Sequence, residues 1–441
     1  MIEVLLEIIQ TPAIVMGIVT LIGLAVQKKP VSKIFSGTVK TALGLLILSF
    51  GAGIIVEEIV PFSELFTKAF NLTGFATSSE AVVGAMQNTV PVIASTSALI
   101  MAFGFLVNII LAKFTPLKYI FLTGHMMWIL SVAVAFVLYD YGYNEMTIIV
   151  FGSIIQGTIM TLLPAIAQPM VRKVLGSDNF ALGHLTLIGT VASGYIGGLF
   201  GNKEQDAEEL ELPESLEFFK DTSMAVSIIM GIFYLIIVLV AGPNLVSEYA
   251  GETNYILFGL MKALGFTAGV LVLMQGVRMF LGELVPAFKG ISDKLVVGSI
   301  PALDVPALFT FAPKALMLGF ITSIVGMLVA MFISSVTLGV VPLVSIIGAF
   351  FTGGIAGIFG NATGGRRGAS ISGFMYGFFL IYGSSLVYKL YDFAEYGSAG
   401  VGHDTTDVMV TLGIFKSPII GMTILVVVFI LMSIYEIKEK R

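Results

Sequence analysis

The chain has 441 residues, 57% of them hydrophobic and 12% charged, with a formal net charge of −5 and a mean hydropathy of +0.99. A soluble domain carries roughly 25% charged residues, so this composition excludes a water-soluble core and points to an all-α polytopic membrane protein. The absence of cysteine excludes disulfides, thiolate-bound metal and thiol catalysis.

In chain order, apolar runs predict about eleven membrane-spanning helices, at 9–27, 38–60, 91–112, 119–139, 146–168, 221–241, 255–280, 313–335, 338–359, 371–390 and 417–436. The stretch from Ala81 to Ala112 contains no Asp, Glu, Lys or Arg, more than a bilayer crossing requires. Three further stretches, 62–90, 180–200 and 296–311, are apolar but interrupted by Gly, Pro and small polar residues. They read as re-entrant or broken segments, which a membrane tolerates only where protein or a wet cavity covers the backbone. Residues 1–10 carry two Glu and no basic region, so no cleavable signal peptide is expected.

Basic residues orient these spans. Lys28, Lys29, Lys33 and Lys40, then Lys113 and Lys118, Arg172 and Lys173, Lys289 and Lys294, Arg366 and Arg367, and the tail Lys438, Lys440 and Arg441 all fall on one side of an odd-numbered topology. That side is the cytoplasm, with the N-terminus outside and the C-terminus inside. Asp140 to Glu145, Val246 to Asn254 and Asp392 to Asp407 then lie outside, where His403 is expected to be solvated. The acidic stretch Lys203 to Asp221 reads as a linker with a short interfacial helix near Pro213, dividing the chain into halves 1–220 and 221–441.

An internal repeat joins the halves. Gly44, Leu46, Leu48, Gly51, Glu58, Val60 and Pro61 fall without a gap on Gly269, Leu271, Leu273, Gly276, Glu283, Val285 and Pro286, at an offset of 225 residues. A weaker echo pairs Ala98, Leu99 and Phe103 with Ala315, Leu316 and Phe320. Five spans separate the strong copies, so they run in opposite directions, the inverted-repeat plan of alternating-access transporters. Glu58 and Glu283 fall near helix ends, as solvated boundary charges or as hydrogen-bonding groups between helices or toward a solute.

Four polar clusters interrupt the apolar runs, and polar groups at membrane depth mark solute paths or structural bonds. Thr123-Gly124-His125 opens one span, and Gly183-His184-Leu185-Thr186 lies in a broken segment. An imidazole can donate and accept together, which suits a ring hydroxyl, although an interhelix bond is an equal reading of either histidine. Asp304 sits between Pro301 and Pro306, which forbids a regular helix there and places the carboxylate at a backbone break. Solute recognition, ion coupling or structural anchoring are its candidate roles. Metal ligation by the two histidines with Asp304 lacks any ligand-spacing signature. Asn361-Ala362-Thr363-Gly364-Gly365-Arg366-Arg367 is a Gly-rich turn without the Walker pattern, so nucleotide binding is not expected.

With these residues the chain resembles the membrane-embedded IIC component of the bacterial ascorbate phosphotransferase system, the vitamin C permease family. Leu122-Thr123-Gly124-His125, Ser177 to His184, Gln275 to Phe280 with Glu283-Leu284 and Ala287-Phe288, Ser292, Asp304, Phe309 to Pro313 and Gly364-Gly365 carry the likeness. The resemblance implies an eleven-span homodimer in the cytoplasmic membrane with interleaved core and dimerisation domains, moving solute by elevator-like alternating access. It implies a substrate site at His125, Gly183, His184, Thr186 and Asp304, approached by a Gly51-Ala52-Gly53 turn and by Ala76, Thr77 and Ser78. A separate cytoplasmic IIB protein, fed by IIA, would phosphorylate the solute, so the chain itself is not expected to be an enzyme or to need a cofactor or nucleic acid. The family usually shows Gly-Ser-Gly where this chain has Gly51-Ala52-Gly53, and places Gln near the histidines where Met126-Met127-Trp128 and Leu185-Thr186-Leu187 stand. That leaves L-ascorbate, a pentitol, another sugar or a less hydroxylated acid as the solute. A proton- or sodium-coupled secondary transporter is the alternative, sharing the broken helices but needing no phosphoryl donor.

Overall fold

Long apolar runs, interrupted where Gly, Pro and Asn cluster, set the helix boundaries. The computed structural model describes residues 12–69, 79–209, 222–340, 342–391, 393 and 401–439. Its helices are α1 (Pro12–Val26), α2 (Val31–Ala69), α3 (Ser79–Thr89), α4 (Pro91–Phe114), α5 (Gly124–Asp140), α6 (Glu145–Leu175), α7 (Leu187–Phe200), α8 (Thr222–Ala250) and α9 (Tyr255–Lys294). They continue with α10 (Pro313–Thr337), α11 (Gly354–Leu390), α12 (Thr406–Leu412) and α13 (Pro418–Glu439). Asn144 and Asn254 cap α6 and α9 by accepting backbone N–H groups, and Gly176 (φ 66) ends α6 in the left-handed conformation. Among the described residues eight helices are long and apolar enough to cross a membrane. The chain is therefore a polytopic, all-α membrane protein, apart from three very short strands among the described residues.

Those strands are β1 (Tyr119–Phe121), β2 (Ala181–Leu182) and β3 (Ile300–Leu303), a parallel sheet with β3 central. The span expected at 119–139 thus begins as a strand and becomes helical at Gly124. The span expected at 338–359 is non-helical at 338–340 and 342–345 and passes through a π-helical stretch, Ala349–Gly353, before α11.

Two groups of helices follow from the contacts. In the first, α2 packs along α9, with α1 and α8 beside them. Glycines let the two long backbones touch: a Cβ on Gly51 would lie 2.2 Å from Leu273 N, and one on Gly276 would lie 2.2 Å from Leu48 N. Each of these contacts maps onto the other under the 225-residue offset. The same holds for Gly44 against Phe280 and Gly269 against Ile55. Both repeated glutamates bridge helices: Glu58 lies 2.8 Å from Lys262, and Glu283 lies 3.4 Å from Lys40 and 3.6 Å from Lys33. Of the three roles open for Glu58 and Glu283, the contacts show the interhelix one.

The second group holds the sheet, with α4 against α6 and α11 against both α7 and α10. Within α11, Gly364 (φ −144, ψ 22) and Gly365 (φ 60, ψ −162) break the helix, and Gly365 adopts a conformation open essentially to glycine alone. The chain reverses there. A Cβ on Gly360 would lie 2.4 Å from the carbonyl oxygen of Gly368, whereas a continuous helix would hold these residues about 12 Å apart. The hairpin tip is tied to the loop after α7: Asn202 N donates to Gly364 O, Arg366 N to Gln205 O, and Asn361 Nδ2 to Asp206. The start of the acidic stretch is therefore a structured clasp, while its proposed helix near Pro213 lies outside the described residues.

Candidate functional site

Three of the four polar clusters meet at one end of the small sheet. Phe121 pairs with Ala302, which also pairs with Ala181, and Leu182 pairs with Leu303. The ladder continues one step past the strands: Leu122 N donates to Ala302 O at 2.9 Å and Gly183 N to Leu303 O at 2.6 Å. Thr123 and His125, Gly183 and His184, and Asp304 thus leave the carboxyl ends of three adjacent parallel strands. In open α/β sheets that end is where ligands bind, because strand termini and helix starts expose directed backbone groups there.

Each segment changes conformation at that point. Thr123 precedes α5, whose first turn holds His125; Thr186 precedes α7; and Asp304 precedes a single helical turn, Pro306–Phe309. The backbone break expected at Asp304 is present, and its carboxylate accepts from Val305 N at 2.8 Å. Gly183 is required by close approach, since a Cβ there would lie 2.9 Å from Ala302 O and 3.2 Å from Thr123 Oγ1. Thr123 Oγ1 is buried and has no hydrogen-bond partner among the described residues.

Two layers differ in access. His125 Nε2 lies 3.6 Å from Asp304 Oδ2, with side chains 46% and 27% exposed. His184 lies beneath, its side chain 3% exposed, with Nδ1 2.8 Å from Thr186 Oγ1 and also accepting from Thr186 N. The open pair can exchange hydrogen bonds with a solute, whereas the imidazole of His184 is buried.

His403 differs from expectation. It is buried, at 5% exposure, rather than solvated, because residues 401–412 pack against α3, α5, α7 and α11 instead of forming a loop in water. Asp404 and Asp407 are buried with it. Asp407 Oδ2 accepts from Gly189 N at 2.7 Å in the first turn of α7, and Tyr376 OH donates to its other oxygen at 3.5 Å. A signal for this segment was present in the sequence: Gly402-His403-Asp404-Thr405 repeats the Gly-His-x-Thr order of Gly183-His184-Leu185-Thr186.

The remaining predicted residues stand elsewhere. Gly51-Ala52-Gly53 is no turn but the middle of α2, with Gly51 pressed on α9 and Gly53 exposed. Ala76, Thr77 and Ser78 lie outside the described residues. An amide from α3 meets the first turns of α5 without a contact to His125: Gln87 Oε1 accepts from Trp128 Nε1 at 3.1 Å, and Gln87 Nε2 donates to Ser97. Among the described residues no group of His, Cys, Asp and Glu has the arrangement of a metal site.

Residues 7–407 match the family profile described as the sugar-specific permease component of the phosphotransferase system. The chain belongs to that family. A permease component carries solute across the membrane and does not itself perform the phosphoryl transfer. The chain is also 27% identical over 415 residues to a protein of Mycoplasma pneumoniae (strain ATCC 29342 / M129 / Subtype 1), the "Ascorbate-specific PTS system EIIC component". That match covers 82% of this permease, which spans 62% of the relative's length.

Proposed function

We propose that this permease binds a small polyhydroxy solute, L-ascorbate or a related sugar or polyol, at the carboxyl ends of β1, β2 and β3. His125 and Asp304 face the solute, and His184 with Thr186 forms the floor. The observation that carries this reading is the convergence of His125, His184 and Asp304 from three distant stretches onto adjacent strand ends. An imidazole and a carboxylate left partly open, beside a buried imidazole, suit hydrogen bonding to hydroxyls.

The solute is delivered to a separate phosphorylated IIB protein, with IIA upstream, in a bacterial cytoplasmic membrane with the N-terminus outside. Eleven spans arranged as inverted halves 1–220 and 221–441 underlie an elevator motion, in which the sheet-bearing group slides against the α1, α2, α8 and α9 group of a homodimer. The offset-related contacts of Gly51 with Leu273 and Gly276 with Leu48 support the inverted arrangement. The relative's ascorbate specificity supports the choice of solute.

The test is uptake of labelled solute into cells with and without the phosphoryl donors. Accumulation that needs the donors and survives collapse of ion gradients agrees with the proposal. Uptake that persists without them and follows a proton or sodium gradient would assign the chain to coupled secondary transport.

A further inference from the structure

The Gly-His-x-Thr echo extends beyond sequence. Gly183 presses on Ala302, two residues before Asp304, and Gly402 presses on Ser79, where a Cβ would lie 2.8 Å from Ser79 Cα. At the 225-residue offset Ser79 falls on Asp304. Each half's Gly-His turn therefore abuts the corresponding segment of the other half. Asp404 N completes the second contact by donating to Ser79 Oγ at 3.0 Å.

These two contacts bring both turn histidines to one carboxylate. His184 Nε2 lies 3.7 Å from Asp404 Oδ1, and His403 Nε2 lies 3.4 Å from Asp404 Oδ2, with all three side chains under a tenth exposed. Asp404 stands where the first copy has Leu185, so a single acid serves both copies. Because Thr186 N–H donates to His184 Nδ1, the neutral ring carries its proton on Nε2, the atom that faces Asp404. A buried carboxylate needs such partners, and buried imidazoles need an acceptor to fix their orientation.

We propose that Asp404 is a positioning residue of the solute site, holding His184 and His403 as one buried His-Asp-His unit beneath the His125–Asp304 pair. His403 is thereby the repeat counterpart of His184. Through Thr186 at the start of α7 the unit fixes the turn that carries Gly183 against β3. The inference rests on the proposed solute site, but its first test needs no solute.

The chain has three histidines, so ¹⁵N-histidine labelling of the full-length protein in nanodiscs gives three imidazole signals, assignable by single substitutions. Asp404→Asn is expected to shift the signals of both His184 and His403 and to leave that of His125 in place. His403→Gln, a second route should the first variant not fold, is expected to shift His184 through the shared acid. If His184 keeps its signal in either variant, the unit does not exist and the proposal falls. Labelled L-ascorbate binding supplies the second arm: Asp404→Asn is expected to weaken it about tenfold at unchanged stoichiometry, the scale of losing an orienting partner. Unchanged affinity in that variant overturns the positioning role. A wild-type protein that binds neither ascorbate nor a pentitol counts against the proposed function instead, and the imidazole signals then decide the unit alone.

Discussion

His125 Nε2 stands 3.6 Å from Asp304 Oδ2, although the two residues come from opposite halves of the chain and from segments that share no helix. The parallel pairing of β1 with β3 makes this approach, because it aligns Phe121 with Ala302 and so brings the residues just beyond both strands together. If the pair receives the solute jointly, Asp304→Asn and His125→Gln each weaken binding by about tenfold or more, about 1.4 kcal/mol. The double variant is expected to lose less than the sum of the two, since contacting groups do not act independently. Titration of labelled solute into the four proteins checks this, and strict additivity would place the two side chains in separate roles.

Gly51 and Gly53 separate packing from conformational preference within one helix turn. Gly51→Ala drives a methyl group onto the backbone of Leu273 and is expected to cost about 1–3 kcal/mol, the usual range for overpacking. At Gly53 nothing lies within 4 Å of the added atom, so alanine is expected to be neutral or to stabilise α2 by up to about 1 kcal/mol. Thermal unfolding in detergent measures both. Equal effects at the two positions would mean that α2 and α9 are not in backbone contact there.

This pair also shows what the sequence conveyed and what it hid. Gly-x-Gly in an apolar run signals either a turn or close helix packing, and only the facing Gly276 and Leu273 distinguish them. The reversal at Gly364-Gly365 was legible because two adjacent glycines between apolar runs permit a tight backbone turn. The strands were not legible: they are two to four residues long, equally apolar on every position, and Pro301 lies in the central one, where its missing N–H argues against a strand. Asp304 was readable as a break because proline flanks it on both sides. His403 was misplaced because the acidic and small residues around it resemble a solvated loop, whereas their polar groups are spent on Ser79, Gly189 and Tyr376.

Glu208 ties the clasp to α10 and provides a pH test away from the solute site. Its Oε1 accepts from Ala315 N at 2.8 Å, while Lys314 Nζ donates to its backbone carbonyl at 2.7 Å. Burial pushes this carboxyl above the ordinary glutamate value, against the hydrogen bond from Ala315 that lowers it. The folded protein therefore holds the proton more tightly than the unfolded chain, and the associated stability is present at low pH and lost as pH rises through the folded value. Glu208→Gln keeps the acceptor and removes this loss. Relative to wild type, the variant is expected to melt higher at pH 7 than at pH 5. A difference that is constant or reversed between the two pH values would show that burial does not disfavour the charged form.

The hairpin tip gives a structural control. Gly365→Ala places a side chain at φ 60, ψ −162 and within 2.2 Å of Asn202 O, so it is expected to destabilise the protein by about 1–3 kcal/mol. Proteolysis of the clasp, followed by mass spectrometry, reads this directly as faster cleavage between residues 202 and 209. A cleavage rate equal to that of wild type would mean the clasp does not depend on the tip.

Whether a solute sits at the carboxyl ends of the three strands is decided by equilibrium binding of radiolabelled L-ascorbate to purified protein, competed with a panel of sugars and pentitols. The expected result is saturable binding, of ascorbate itself or of a panel member identified by labelling it in turn, which Asp304→Asn weakens while Gly53→Ala leaves it unchanged. Saturable binding that Asp304→Asn and His125→Gln leave at wild-type strength would contradict it and move the site elsewhere in the molecule.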